Sequence, residues 1–294
     1  MPDIKAKRVQ QNLSRVGARL RVKRANFTVA AKLQPIGVFD SGMGGLSVLR
    51  ELERLLPNEN FIFLADQKYV PYGEKSKKQL INLAYRIVDF FINKYDVKMI
   101  VIACNTSTCY SIDALRKKYS LPIVGTVPAV KKAGENTKSG AIAVISTPAT
   151  SKSPTLKKLI KDNCKGMKVF NIGCKDLENA VEEGEIDDKR VHNLLQKYLG
   201  KIKNSKVDHL VLGCTHYPFL KKTIKKYVNS KVKLVDGGLA IAKRVRSLLK
   251  TYFFKNSKKT KGETIYFTTG DSARFSKVAS KLLKQKIQAK RVQI

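Results

Sequence analysis

The sequence predicts an α/β protein with mostly parallel sheets, and three observations predict it. Short apolar runs alternate with amphipathic stretches of helical period along the chain. The plan of the first half begins again near Gly134, which argues for two units; 294 residues suffice for two cores. Several apolar runs end on a polar or reactive residue (Asp40, Asp66, Cys104, Ser146, Cys214), and parallel sheets bind ligands beyond the carboxyl ends of their strands.

The first strand is expected at 36–39. Asp40-Ser41-Gly42-Met43-Gly44-Gly45 follows, then a helix marked by Leu46, Val48, Leu49, Leu52 and Leu55-Leu56 that Pro57 stops. Glycines there let the backbone approach a ligand, and the helix N-terminus offers N–H groups to an anion. The spacing departs from the GxGxxG dinucleotide fingerprint. A second strand at 61–65 ends at Asp66 and leads to a Pro71-Tyr72-Gly73 loop, the kind of strand-end loop that carries ligand contacts. A helix is expected over 80–91, and a third strand at 99–103 runs into Cys104-Asn105-Thr106-Ser107-Thr108. A helix with Ile112, Leu115 and Tyr119 and a strand at 122–125 complete the first half.

In the second half a strand at 141–145 leads into Ser146-Thr147-Pro148 and a helix carrying Leu156, Leu159 and Ile160. After a strand at 168–172, acids cluster through Asp176, Glu178, Glu182, Glu183, Glu185, Asp187 and Asp188. The last two suit a helix N-terminus ahead of Val191, Leu194, Leu195 and Tyr198. A strand at 209–212 delivers Cys214, and one at 232–235 ends in Asp236-Gly237-Gly238. A long helix over 239–249, a strand at 264–268 and a basic helix over 272–284 close the chain.

The charge balance is 58 Lys+Arg against 23 Asp+Glu, a net +35. Clustered cations would point to a nucleic-acid partner. From Asn58 onward the lysines are scattered along most segments, which favours a solvated basic surface instead. The five cysteines are odd in number, widely spaced and form no CxxC pair; reduced thiols of a cytosolic protein are expected, and no metal site. No apolar run approaches the roughly 20 residues of a membrane span. Residues 1–34 stand apart: after Asp3 no acid occurs until Asp40, and Val9, Leu13, Val16 and Leu20 recur at helical spacing. A nucleic-acid or membrane-surface arm, a transit peptide and a disordered extension are the readings open. The last is favoured, because the motifs all begin after Pro35.

Free cysteine most often packs as a small hydrophobe. Two here share a context that packing does not require. Ile100-Val101-Ile102-Ala103-Cys104-Asn105-Thr106 parallels Leu210-Val211-Leu212-Gly213-Cys214-Thr215-His216: strand, small residue, thiol, hydrogen-bonding residues. If the halves face each other, two thiols flank one cleft. That suits removing a proton from one face of a carbon and returning one to the other, thiolate as base and thiol as acid. Free Cys titrates near pH 8.5, so neighbours must steer its proton; Asp40 and His216 are the candidates. Ser41, Asn105, Thr106 and Thr215 are placed to hold carboxylate oxygens. A single nucleophilic cysteine with His216 as its base is the rival chemistry, and it leaves the twin unexplained.

Gly37-Val38-Phe39-Asp40-Ser41-Gly42-Met43-Gly44-Gly45, Val70-Pro71-Tyr72-Gly73, Ala103-Cys104-Asn105-Thr106 and Gly213-Cys214-Thr215-His216-Tyr217-Pro218 together resemble the glutamate racemases, of the cofactor-independent aspartate/glutamate racemase superfamily. The resemblance runs from about Pro35 to about Leu283. It implies interconversion of L- and D-glutamate with no cofactor or metal, supplying D-glutamate for peptidoglycan in the cytoplasm; a homodimer is expected. It implies two flavodoxin-like domains, 35–131 with 238–294 and 132–237, with the site between them. Cys104 and Cys214 match the catalytic cysteines, the first acting on the D- and the second on the L-enantiomer. Asp40 and His216 match the assisting acid and histidine, and Glu182 a glutamate that supports the histidine. Ser41, Asn105, Thr106 and Thr215 match groups holding the polar head of the amino acid, and Pro71, Tyr72 and Gly73 the contact to its distal carboxylate. The run from Cys174 to Gly184 departs from the family, which reads Cys-Pro with further prolines and aromatics there, and Glu183 competes with Glu182 for the supporting role. A sister racemase acting on aspartate or another amino acid, and a nucleic-acid-binding protein on a racemase-like fold, are the alternatives.

Overall fold

The computed structural model describes residues 33–252, 256 and 260–294; the basic segment expected as an extension, 1–34, lies outside them but for its last two positions. The chain runs β1 (Ile36–Asp40), α1 (Leu46–Leu55), β2 (Phe61–Ala65), α2 (Lys77–Tyr95), β3 (Met99–Ile102), α3 (Asn105–Lys118) and β4 (Ile123–Gly125). It continues through α4 (Val130–Asn136), β5 (Ala141–Ser146), α5 (Pro148–Lys152), α6 (Pro154–Asn163), β6 (Lys168–Gly173), α7 (Leu177–Glu182) and α8 (Lys189–Leu199). Then come β7 (His209–Leu212), α9 (Lys221–Ile224), β8 (Lys233–Val235), α10 (Gly238–Thr251), β9 (Thr264–Thr268), α11 (Ser272–Leu283) and β10 (Ala289–Arg291).

Two sheets result, one ordered β10-β9-β2-β1-β3-β4 and the other β6-β5-β7-β8, with every strand pair parallel. Every residue of β1, β2, β3, β5 and β7 is buried, because helices cover both faces. In the first sheet β2 follows β1 on one side and β3 lies on the other; in the second, β6 and β7 flank β5 in the same way. The strand order thus reverses at β1/β3 and at β5/β7, and such reversals open a crevice beyond the strand ends. Asp40-Ser41 and Cys104 leave the first crevice; Ser146-Thr147 and Cys214 leave the second.

The structure departs from the sequence reading at particular places. The helix expected over 80–91 begins earlier, at Lys77, because Ser76 caps it through a reciprocal bond with Gln79, and ends where Asp96 turns left-handed at φ 47°. The helix carrying Leu156 is broken into α5 and α6: Pro154 lacks an N–H, and Ser153 caps the new start by accepting from Leu156 N–H. Tyr119 falls just past α3. Neither Asp187 nor Asp188 caps α8 through its side chain; Asp187 instead pairs with Lys226 and His192. The strand β10 was not expected, since Ala289-Lys290-Arg291 has no apolar run. At the amino end of β3, Lys98 is buried against Glu59 at 2.6 Å, and Asn256 N–H donates to the same carboxylate at 2.8 Å.

Candidate active site

The two thiols approach one cleft from the two sheets. Cys104 is the N-cap of α3, and its sulfur accepts from Ser107 N–H at 3.4 Å. That position favours a thiolate through the free N–H groups of the helix. Cys214 follows β7 after Gly213, where a Cβ would stand 2.9 Å from Ile145 O, so only glycine lets the strand end pass this close to β5. Cys104 is 5% and Cys214 6% exposed.

Each thiol heads its own chain of polar groups. His216 Nδ1 lies 3.5 Å from Cys214 Sγ, and its Nε2 lies 2.6 Å from Glu182 Oε1. A carboxylate only accepts, so Nε2 donates and Nδ1 is left to exchange a proton with the thiol. Glu182 also accepts from Gln67 Nε2 at 2.7 Å and from Met43 N–H. On the other side Ser41 Oγ lies 3.7 Å from Cys104 Sγ and 3.2 Å from Asp40 Oδ1. Asp40 further accepts from Ser41 N–H at 2.6 Å and from Thr215 Oγ1 at 2.8 Å, which ties the two cysteine motifs together.

Burial acts on the titration of all these groups, and charged neighbours outweigh it at two of them. It pushes the Cys104 thiol well up, and the charge of Asp40 adds to the effect. It also pushes Cys214 up, with His216 opposing. Burial alone would lower His216, but Cys214 and Glu182 outweigh it and hold the imidazolium well above its ordinary range. For Glu182 burial is again outweighed, here by His216, Gln67 and Met43, and its carboxyl sits below the ordinary range. Asp40 goes the other way: burial raises it in spite of His216 and Thr215. These directions favour an ion pair of His216 with Glu182 when Cys214 is a thiolate, and they raise the proton affinity of the Asp40 carboxyl near Cys104.

Ser41, Pro71, Tyr72, Gly73, Cys104, Asn105, Thr106, Cys214, Thr215 and His216 line the cleft. Asp40 and Glu182 are buried just outside that lining. Tyr72 presents its ring, since its hydroxyl donates to Asp66 at 2.6 Å. Thr106 Oγ1 bonds Thr147 Oγ1 at 2.9 Å and Thr150 Oγ1 at 3.0 Å, across the two halves. Asn105 Oδ1 is buried with no partner among the described residues. Of the competing acids, Glu182 takes the histidine, and Glu183 pairs with Arg190 at 2.6 Å.

One expectation fails. The glycines after β1 do not clear space for a ligand. A Cβ at Gly42 would stand 2.0 Å from Glu182 Oε1, one at Gly44 2.5 Å from His216 Nδ1, and one at Gly45 2.6 Å from Asp40 Cβ. The turn is cut away to admit the side chains that serve the thiols, and the anion its N–H meets is Glu182. Three cleft residues were not singled out as site residues, Val70, Thr147 and Glu178. Thr147 stands beside Ser146 at a strand end, a signal that could have found it; nothing in the acid cluster distinguishes Glu178. Among the described residues no cluster of three metal-binding side chains occurs, and no helix is long and apolar enough to cross a membrane.

Known proteins match this chain over most of its length. A family model described as Asp/Glu/hydantoin racemase matches residues 36–245. A glutamate racemase of Fusobacterium nucleatum is 42% identical over 266 residues, covering 90% of this chain and 99% of that protein. The crystal structure of a glutamate racemase isoform from Bacillus anthracis superposes with a TM-score of 0.82 at 30% identity, over 90% of this chain and 98% of that one. That of the Francisella tularensis glutamate racemase in complex with D-glutamate superposes at 0.78 with 31% identity, over 89% and 98%. The family model covers well over half of the residues, and the chain belongs to the Asp/Glu/hydantoin racemase family.

Proposed function

We infer that this protein is a glutamate racemase that moves a proton at Cα between two cysteines. The observation that carries the reading is the pair of thiols on the walls of one cleft, each with its own proton-handling chain: Cys104–Ser41–Asp40 and Cys214–His216–Glu182. The relatives named glutamate racemase and the D-glutamate complex of one of them favour glutamate as substrate.

In this mechanism L-glutamate loses its α-proton to the Cys214 thiolate while the Cys104 thiol protonates the opposite face; the sulfurs exchange roles in the reverse direction. The Cα–H pair of electrons stays on carbon until the second S–H bond breaks, so no redox partner is needed. The His216 imidazolium stabilises a thiolate at Cys214. Asp40, whose raised proton affinity suits it to accept a proton through Ser41, serves Cys104. Asn105 Oδ1, left without a partner, is an acceptor for the substrate ammonium, and the Thr106 hydroxyl is a donor for its α-carboxylate; the Ser41 and Thr215 hydroxyls, whose protons go to Asp40, face the substrate as acceptors. The loop at Pro71, Tyr72 and Gly73 faces the distal end.

Sheet membership supports a division into units of 35–131 with 238–294 and 132–237. Supply of D-glutamate for peptidoglycan, a cytoplasmic location and a homodimer follow from the family resemblance, and light scattering tests the last. The functional test is circular dichroism of L-glutamate and of L-aspartate incubated with the protein: loss of signal from glutamate is expected, and loss from aspartate alone would overturn the reading.

A further inference from the structure

One carboxyl oxygen in the cleft wall has no hydrogen-bond partner among the described residues. Glu178 stands on α7, one helical turn before Glu182, and lines the cleft. It is 7% exposed, and its Oε2 is buried with no hydrogen-bond partner among the described residues. Its other oxygen faces the turn after Pro71: a Cβ added at Gly73 would stand 3.7 Å from Glu178 Oε1 and 3.4 Å from Thr147 Cβ. An orphaned buried polar group is costly, and one that lines a cleft can find its partner in the ligand.

The surroundings decide which partner. Burial, with the acids Asp176 and Glu74 nearby, raises the proton affinity of the Glu178 carboxyl against the opposing pull of its own backbone N–H and of His216. The other titratable groups that sense it, Cys214, Cys174, Tyr217 and Tyr198, supply no cation. A carboxyl that keeps its proton is an O–H donor and meets an anion without repulsion; ionised, it repels one. With Cα between the thiols, the α-ammonium and α-carboxylate of glutamate stay at the reacting carbon, and its side-chain carboxylate extends away from them.

We propose that the Glu178 carboxyl donates a hydrogen bond from Oε2 to the side-chain carboxylate of the substrate and thereby selects for it. This rests on the reading that the substrate is glutamate. Glu178 is a specificity-determining residue on the cleft wall, separate from the proton-transfer chains.

Steady-state racemisation of L-glutamate from pH 5 to pH 9 tests it with the wild type, Glu178→Gln and Glu178→Val. Glutamine keeps a neutral donor at the same reach; valine removes it. For the wild type KM is expected to rise with pH as the carboxyl ionises. Glu178→Gln is expected to hold the low-pH KM across the range. Glu178→Val is expected to raise KM at low pH about tenfold or more, the effect of losing a hydrogen bond to a charged group, with kcat changed far less. A valine variant with wild-type KM, a glutamine variant as impaired as the valine one, or a wild-type KM that ignores pH each overturns the proposal. A wild type inert on glutamate would instead overturn the functional reading, which the same runs detect.

Discussion

Replacing Glu182 with glutamine isolates the part of the site that steers the Cys214 proton. The substitution keeps the side-chain volume and removes one charge. In the wild type the carboxylate accepts from His216 Nε2 at 2.6 Å, from Gln67 and from Met43 N–H. A glutamine has one acceptor oxygen for these donors and sets its own N–H₂ against the others. A buried hydrogen bond to a charged group contributes about 1.5–3 kcal/mol, which corresponds to about 10- to 150-fold in kcat/KM when it acts in the transition state. His216 then loses the partner that holds it protonated, and Cys214 loses the imidazolium that opposes its burial. The rising limb of kcat/KM against pH is therefore expected to move toward alkaline values. Enantiomers are equal in free energy, so kcat/KM must fall by the same factor from L- and from D-glutamate, while kcat and KM can divide the loss differently. Circular dichroism progress curves started from each enantiomer measure all of this. A Glu182→Gln enzyme within threefold of wild type, with the limb unmoved, would refute the role given to the His216–Glu182 pair.

Gly42→Ala places a methyl group 2.0 Å from Glu182 Oε1; it is expected to displace the carboxylate and cost activity as Glu182→Gln does, with unchanged far-ultraviolet circular dichroism. Asp40→Asn can keep the bonds to Ser41 and reverse the one with Thr215, yet it cannot take a proton; a fall of about 10²- to 10⁴-fold in kcat is expected for a lost general base. Since burial raises the Asp40 carboxyl, its charge works against the fold above the ordinary carboxylate pKa, and urea titration at pH 7 should find Asp40→Asn no less stable than wild type. Glu182 has the opposite sign: its lowered folded pKa gives stability that is present above about pH 4.3 and is lost as pH falls through the folded value, so the acid limb of stability should flatten in Glu182→Gln. Lys98→Met leaves Glu59 buried with only the Asn256 N–H of its two named donors; urea titration should show a loss of about 3 kcal/mol.

The alternation of strands and helices was legible because each buried strand is a continuous apolar run, as in 61–65 and 141–146. Where burial is partial the signal fades: β10 is short, basic and exposed at a sheet edge, and the hydrogen bonds that make it a strand come from β9. The kinship of Cys104 and Cys214 was readable from their matching contexts, since strand-end position is local. What supports them was not, because it depends on packing between distant segments. Glu182 and Glu183 are chemically alike, but adjacent helical residues point about 100° apart, and only the fold turns one to His216 and the other to Arg190. The glycines at 42, 44 and 45 likewise read as a ligand turn until Glu182, His216 and Asp40 are seen to fill the space.

The central claim is that each sulfur serves one face of Cα. Exchange of the α-proton in D₂O, followed by NMR for each enantiomer with Cys104→Ser and Cys214→Ser, tests it most directly. Neither variant should racemise; Cys104→Ser should incorporate deuterium into L-glutamate and not the D-form, and Cys214→Ser the reverse. Racemisation by either variant near the wild-type rate, or exchange of both enantiomers by one of them, would contradict the account.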